Sequence, residues 1–408
     1  MLGYAVMRSN GTFNELRKKI DYAWLLQPLS TDLFEKKFYE RKHCLVSREE
    51  HDYYQKLLSI KDLDDVIGSQ AAKFPDVRLV QGDRDIDASA YSNSSGTVDP
   101  LQLAKQFENG ATLVFQGLHR IIPALSHTCA VLGRHFSSRV QANAYLTPSE
   151  SQGFRPHWDT HDVFVLQVSG RKRWFIYKSP VRLPLHGQKC DPDVDTPGEL
   201  LEEFELEAGS WLYLPRGVMH SAHSTDATSL HITLGLLGFT WADFLTECVA
   251  ASALDRVTLR EHLPIGFAGP NFSLEQRQRL IREKLADLST NLDSQHVWKH
   301  FATEVVSNNR PVFDDLLQSR LSSPVLVLGS LVRRRSEVLA CPAPDEDRYL
   351  LRFCGQEVSL PIEVAEAADF ISRKNDEFAV RTLPDCLDEE GKLLLVRRLV
   401  VEGLLELC

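Results

Sequence analysis

The chain has 408 residues, 43% of them hydrophobic and 25% charged, the make-up of a folded chain of two or three domains. Lysine and arginine number 46 against 56 acidic residues, a formal net charge of −10, which disfavours recognition of nucleic-acid phosphate. No apolar run is long enough to span a bilayer, and the first nine residues lack the apolar stretch and cleavage site of a secretory leader. Eight cysteines stand singly at 44, 129, 190, 248, 341, 354, 386 and 408, with no Cys-x-x-Cys pair. That argues against a structural zinc and suits reduced thiols, so a cytoplasmic location is expected.

Residues 12–70 read as mostly helical, with Leu25, Leu26 and the stretch from Phe34 to Tyr39 as apolar anchors. Strand-like segments fill 75–240, interrupted by helices near Pro100–Glu108 and Pro123–Phe136. Inside that stretch lies His157-Trp-Asp159. Positions i and i+2 of a strand point to one face, so His157 and Asp159 can hold one metal ion together. A histidine from a distant strand, His220, completes two imidazoles and one carboxylate. Such a facial triad suits non-haem Fe(II) and leaves positions open for cosubstrate and O₂.

A bare His-x-Asp is common by chance, and its surroundings raise it. Val163 to Val168 form an apolar run broken only by Gln167, which predicts a buried strand. Ser169-Gly170 is a turn signal and Arg171 to Tyr177 reads as the returning strand. A β-hairpin is therefore expected, its second strand carrying Lys172 back toward the metal. There a cation neutralises the far carboxylate of a dicarboxylate cosubstrate. Arg171 and Arg173 read as the solvated hairpin tip.

The third ligand follows from Glu207-Ala-Gly-Ser-Trp-Leu-Tyr-Leu-Pro-Arg-Gly217: a turn, an apolar strand, then a Pro-Arg-Gly turn that delivers His220 onto the next strand. His223 lies three residues on and points to the opposite face. His161, His223 and His231 read as ordinary core or surface histidines, with His231 able to support the site from behind. Cys190 to Gly198 is an acidic, proline-bearing surface loop without the glycine and glutamate of a calcium-binding loop.

From Trp241 the pattern turns helical: Ala242–Ser252, Leu254–His262 and Ser273–Asn291. Asn308-Asn-Arg-Pro311 marks a boundary. Beyond it come a helix over Val312–Leu321, strands at Ser336–Leu339, Tyr349–Phe353 and Gln356–Leu360, and helices at Ile362–Lys374 and Glu389–Leu405. Helices on a small antiparallel sheet suggest a winged-helix-like α+β domain. Its basic cluster, Arg333 to Arg335, is short and acids dominate the domain, so no direct DNA binding is expected.

These segments together resemble the JmjC-type 2-oxoglutarate oxygenases of the cupin family, in particular the ribosomal oxygenase branch. The resemblance rests on Asn143-Ala-Tyr145, Gly153-Phe-Arg-Pro-His-Trp-Asp159, Gly170-Arg-Lys-Arg-Trp174, Leu214-Pro-Arg-Gly-Val-Met-His220 and Leu230-His-Ile-Thr-Leu234. It implies a double-stranded β-helix (cupin jelly roll) catalytic domain over 1–240, a helical dimerisation region over 241–308 and the winged-helix-like domain over 309–408. It further implies Fe(2+) at His157, Asp159 and His220. Lys172 would grip the 2-oxoglutarate C5 carboxylate, with Tyr145, Asn143 and Thr233 lining its pocket.

Three functions compete on these residues. One is hydroxylation of a side chain in a protein, a ribosomal protein foremost, or in a peptide. Another is demethylation of N-methyl-lysine, which calls for an aromatic cage that the sequence does not assign. The third is a non-enzymatic metal-binding scaffold, disfavoured by the triad and the lysine. A homodimer is expected through the helices after 241, which carry more apolar positions than a linker needs: Phe244, Leu245, Val249, Leu254, Leu285, Leu288 and Leu292.

Overall fold

A computed structural model describes residues 19–69, 72–82, 84–151, 154–290, 292, 294–311, 313, 317, 321, 325–344, 347–374 and 376–408. Eleven of its strands form the part that holds the site. They are β1 (Cys44–Val46), β2 (Val77–Gln81), β3 (Arg84–Asp85), β4 (Thr112–Phe115), β5 (Arg139–Thr147), β6 (Asp162–Ser169), β7 (Arg171–Tyr177), β8 (Leu200–Glu207), β9 (Trp211–Leu214), β10 (Met219–Ser224) and β11 (Ser229–Leu237). One sheet has the order β1-β9-β6-β11-β5-β4-β2-β3 and the other the order β10-β7-β8. Their pairings are antiparallel throughout.

The period of two along each strand sorts its side chains into two cores. On β5, Val140, Ala142, Ala144 and Leu146 face outward into a helix-covered core, as do Phe164, Leu166 and Val168 of β6 and Leu230, Ile232, Leu234 and Leu236 of β11. The helices Tyr22–Leu26, Thr31–Lys37, Ile60–Gly68 and Pro123–Phe136 supply side chains to that layer. Its aromatic centre sets Phe34 5.4 Å from Phe164 and 4.9 Å from Tyr213. Between the sheets lies a smaller core of Val163, Val165, Trp174, Ile176, Leu206, Leu212 and Leu214. The remaining inward positions are polar, and they build the site.

The Ser169-Gly170 turn is observed, with Gly170 at φ +64°, but β6 and β7 do not form the expected hairpin. Both edges of β6 are taken, by β9 and β11, so the chain turns a corner and β7 joins the opposite sheet. A Cβ on Gly170 would lie 2.0 Å from the Thr228 carbonyl oxygen, so the corner needs glycine for space as well as for φ. Residues 44–46, expected within a mostly helical segment, are instead the edge strand β1 on β9.

Helices Trp241–Asp255, Val257–Arg260, Leu274–Thr290 and Ser294–Asn308 follow the barrel. The last was not expected, and the second is shorter than the predicted Leu254–His262. Phe244, Cys248 and Val297 bury a small core among them. The expected helix over Val312–Leu321 falls mostly outside the described residues. The C-terminal part contains β12 (Leu331–Arg334), β13 (Ala340–Pro344), β14 (Arg348–Phe353), β15 (Gln356–Pro361), β16 (Phe378–Ala379) and β17 (Leu405–Leu407), in sheets of order β16-β12-β17 and β13-β14-β15. Residues 336–339 are a turn rather than the predicted strand, and the last helix stops at Val401 so that Leu405–Leu407 can pair with β12. Helices Ala365–Arg373 and Glu389–Val401 cover this sheet core. A pair of buried residues, His127 Nδ1 and Glu337 Oε2 at 4.0 Å, joins it to the helix Pro123–Phe136.

Candidate metal centre and cosubstrate pocket

His157 lies just ahead of β6 and His220 on β10, and their backbones bond reciprocally: His157 N–H donates to the His220 carbonyl (3.0 Å) and His220 N–H to that of His157 (2.8 Å). The Asp159 carbonyl accepts from Gly217 N–H at 2.9 Å, tying the Pro-Arg-Gly turn to the same corner. The turn therefore positions the third ligand by pairing its backbone with that of the first. One ligand atom from each of His157, Asp159 and His220 lies within 4.8 Å of the others, and His220 Nε2 is 3.9 Å from Asp159 Oδ2.

The donor set fits a divalent iron. Nδ1 of His157 donates to the Arg155 carbonyl at 2.8 Å and Nδ1 of His220 to that of Val218 at 2.9 Å. Both rings thus keep the proton on Nδ1 and present a bare Nε2, the tautomer a metal requires. Burial, with His157 beside it, pushes His220 down to about 4, so it is neutral at physiological pH. Burial opposes ionisation of Asp159, but the imidazoles of His157, His220 and His161 hold its carboxyl below the ordinary range. Two imidazole nitrogens and a carboxylate oxygen therefore face one point.

A cavity of about 280 Å³ opens from this triad into the barrel. Every residue expected to bind the cosubstrate lines it: Asn143 and Tyr145 on β5, Thr233 on β11 and Lys172 on β7. Register brings them together, with Thr233 opposite Asn143 and His231 opposite Tyr145. Thr233 and Asn143 lie beside the Tyr145 hydroxyl, and burial followed by the charge of Asp159 pushes it up to about 12. Asn143 Oδ1 in turn accepts from Gly117 N–H at 2.9 Å. Strand register thus sets three polar groups on one wall, with Asn143 held by its backbone bond.

Lys172 is only 3% exposed, and burial alone pushes its ammonium down to about 8. Its Nζ donates to Thr147 Oγ1 at 3.1 Å, and among the described residues no carboxylate pairs with it. A buried ammonium without a counter-charge is costly unless an anion arrives. Arg171 and Arg173 lie outside and pair with Asp226 and Glu205, as expected of a solvated tip.

His231 is 4% exposed and stacks on Tyr145, ring centroids 4.9 Å apart at 5°. It backs the pocket without being a ligand. His223 points away and packs on Phe175, centroids 5.3 Å apart. The sequence reading missed Thr147, Arg78 and His161 as cavity or lysine partners. Thr147 continues the i, i+2 series from Asn143 and Tyr145, and Arg78 interrupts the apolar Val77-Arg-Leu-Val80; both signals were legible. His161 extends the series from His157 and Asp159, and its ring fits over Gly235, where a Cβ would lie 2.7 Å away.

Two facing antiparallel sheets with His-x-Asp and a distant histidine at their mouth define a metal-binding double-stranded β-helix of the cupin kind. Residues 118–244 match the family model of the JmjC domain, and the chain is a JmjC-domain protein. Ribosomal oxygenase 1 of Homo sapiens is 32% identical over 307 residues, covering 71% of this chain and 46% of that protein. The bifunctional lysine-specific demethylase and histidyl-hydroxylase NO66 of Drosophila melanogaster is 32% identical over 257 residues, covering 59% of this chain and 38% of that protein. The chain thus spans less than half the length of these curated relatives. Among solved structures, YcfD of Escherichia coli shares the fold at a TM-score of 0.55 and 16% identity, covering 93% of this chain and 98% of that one. YcfD has also been solved with cobalt and 2-oxoglutarate, and that structure aligns at a TM-score of 0.52.

Proposed function

We propose that this protein is an Fe(II)- and 2-oxoglutarate-dependent oxygenase that hydroxylates an amino-acid side chain of a ribosomal protein. The observation that carries the reading is the buried Lys172, which has no carboxylate partner among the described residues, in one cavity with the His157, Asp159 and His220 triad. Iron held by those three residues supplies the redox chemistry that activates O₂. The net reaction consumes O₂ and 2-oxoglutarate, releases succinate and CO₂, and places one oxygen atom in a C–H bond of the target. Lys172 neutralises the C5 carboxylate of the cosubstrate. Tyr145, Asn143 and Thr233 orient it by hydrogen bonds, and Trp174, Val163, Val165 and Leu214 exclude water from its carbon chain.

The relatives named ribosomal oxygenase and histidyl-hydroxylase support a ribosomal protein as target and a histidyl side chain as the residue modified. A basic target also suits a chain of net charge −10. Residues 241–308 are read as the dimerisation region and 309–408 as a winged-helix-like protein-interaction domain. No helix among the described residues is long and apolar enough to cross a membrane, and a cytoplasmic site of action accords with the unpaired cysteines. Incubating the iron-loaded protein with 2-oxoglutarate and isolated ribosomal proteins tests the reading. Succinate release together with a mass gain of one oxygen on a target peptide is the expected result. Formaldehyde release with loss of a methyl group would replace hydroxylation by demethylation, and no succinate under either condition would end the oxygenase reading.

A further inference from the structure

A second, larger cavity lies behind the cosubstrate pocket, at the junction of the barrel, the helix Pro123–Phe136 and the end of the helix Ser294–Asn308. It measures about 470 Å³. Among the described residues its lining contains three arginines, Arg120, Arg139 and Arg310, and no carboxylate. In a chain carrying ten more acids than bases, such a concentration of positive charge is conspicuous. Arg120 gives Nη2 to Asp76 at 2.7 Å and Nε to the Gly117 carbonyl at 3.3 Å, which, among the described residues, leaves Nη1 for a ligand. The Arg139 guanidinium has no ion-pair or hydrogen-bond partner among the described residues, and that of Arg310 has only the Ser307 carbonyl at 3.3 Å.

Neutral donors complete the set. His119 Nδ1 accepts from Ala142 N–H at 3.1 Å, which leaves the ring proton on Nε2 and makes that nitrogen a donor. Ser138 is 3% exposed, and its Oγ has no hydrogen-bond partner among the described residues; neither does the buried Asn309 Nδ2. Buried polar groups are ordinarily satisfied, so two orphans on the wall of one cavity mark a place where a polar ligand belongs. Guanidiniums arranged with hydroxyl and amide donors are the usual means of holding a carboxylate or phosphate group.

We infer that this cavity is a binding site for a small multivalent oxyanion, a polycarboxylate or a phosphorylated compound, separate from the cosubstrate pocket. The two cavities share Asn143 as a wall, but Lys172 lines only the pocket that contains the triad. That separation makes the site testable.

Calorimetric titration of the full chain with citrate and with pyrophosphate, against sodium chloride of matched ionic strength, reads the binding. One equivalent of at least one probe should bind, and the tighter of the two tells polycarboxylate from phosphate. The double variant Arg139→Gln, Arg310→Gln should weaken that binding at least tenfold, with unchanged far-ultraviolet circular dichroism. Arg139→Lys should recover part of it. Lys172→Ala should bind the probe as the wild type does. Absence of binding by both probes, binding indifferent to the arginine changes, or binding lost in Lys172→Ala would each overturn the proposal, the last by moving the anion into the cosubstrate pocket.

Discussion

Lys172 Nζ and Thr147 Oγ1 meet at 3.1 Å inside the barrel, joining two strands of opposite sheets. The hydroxyl accepts one of the three ammonium protons and leaves the others for a ligand. In the reading proposed here they meet a carboxylate that is charged, buried and held at a fixed distance from the metal ligands.

Lys172→Ala should therefore raise the KM for 2-oxoglutarate while leaving iron content near that of the wild type. Losing a charge-assisted partner of a buried carboxylate costs about 1.5–3 kcal/mol, or roughly ten- to hundredfold in KM. Steady-state succinate formation gives the KM, and iron per chain follows from metal analysis. An unchanged KM would move the anchoring role elsewhere.

The same lysine predicts a pH dependence. Burial holds the free ammonium at about 8, below its ordinary range, and an arriving dicarboxylate favours the charged form and raises that value. Binding is then strong while Lys172 is protonated, below about 8, and weakens as pH rises past that point because binding must take up a proton. The KM should climb by about tenfold per pH unit above that point. In Lys172→Arg, whose guanidinium stays charged, this rise should vanish even if the absolute KM is higher. A flat wild-type profile from pH 7 to 9.5 would contradict the assignment.

Much of the site could be read from the chain because period-two spacing and turn residues are local. Asn143, Tyr145 and Thr147 share a face as alternation requires, and Pro215-Arg-Gly217 delivers His220 as its turn chemistry implies. What escaped was pairing. The chain between β6 and β7 carries ordinary hairpin residues, and nothing local reveals that both edges of β6 are already occupied by strands from 45 or more positions later. The edge strand β1 is set by its partner β9 in the same non-local way. Thr147 as partner of Lys172, and Arg78 as a cavity wall, depend on that sheet order too.

The corner at Gly170 carries its own prediction. Gly170→Ala puts a methyl group at φ +64° against the Thr228 carbonyl. A non-glycine residue in that region costs about 1–3 kcal/mol before any clash is counted, and here the obstacle is backbone. The melting temperature should fall by several degrees. Equal melting temperatures for variant and wild type would mean that the corner relaxes freely.

His157→Ala and Asp159→Ala should each abolish iron binding and 2-oxoglutarate turnover without unfolding the chain. Both residues are partly exposed at the barrel mouth, and the larger core of Phe34, Phe164, Trp211 and Tyr213 is packed on the far side of the sheet. Metal analysis and near-ultraviolet circular dichroism separate ligand loss from unfolding. Wild-type turnover in His157→Ala would remove the triad from the mechanism.

Assembly is expected to follow the helices after residue 241. Phe244 is buried within one protomer and Leu292 packs beside it, so these two need no partner. Leu245, Val249, Leu254 and Leu285 remain 54%, 45%, 78% and 58% exposed, and Trp241, Leu263, Ile265 and Ile281 add to the uncovered apolar surface. Exposed apolar area of this extent is unusual on a monomer, and a twofold contact that buries the same patch from both copies is the commonest way to cover it. Light scattering at micromolar concentration should then give twice 46.2 kDa. Changing Leu254 and Leu285 to arginine should halve the mass, because two unpaired charges would be buried in the contact. A mass of 46.2 kDa for the wild type at every concentration would show that these helices stay solvated in a monomer.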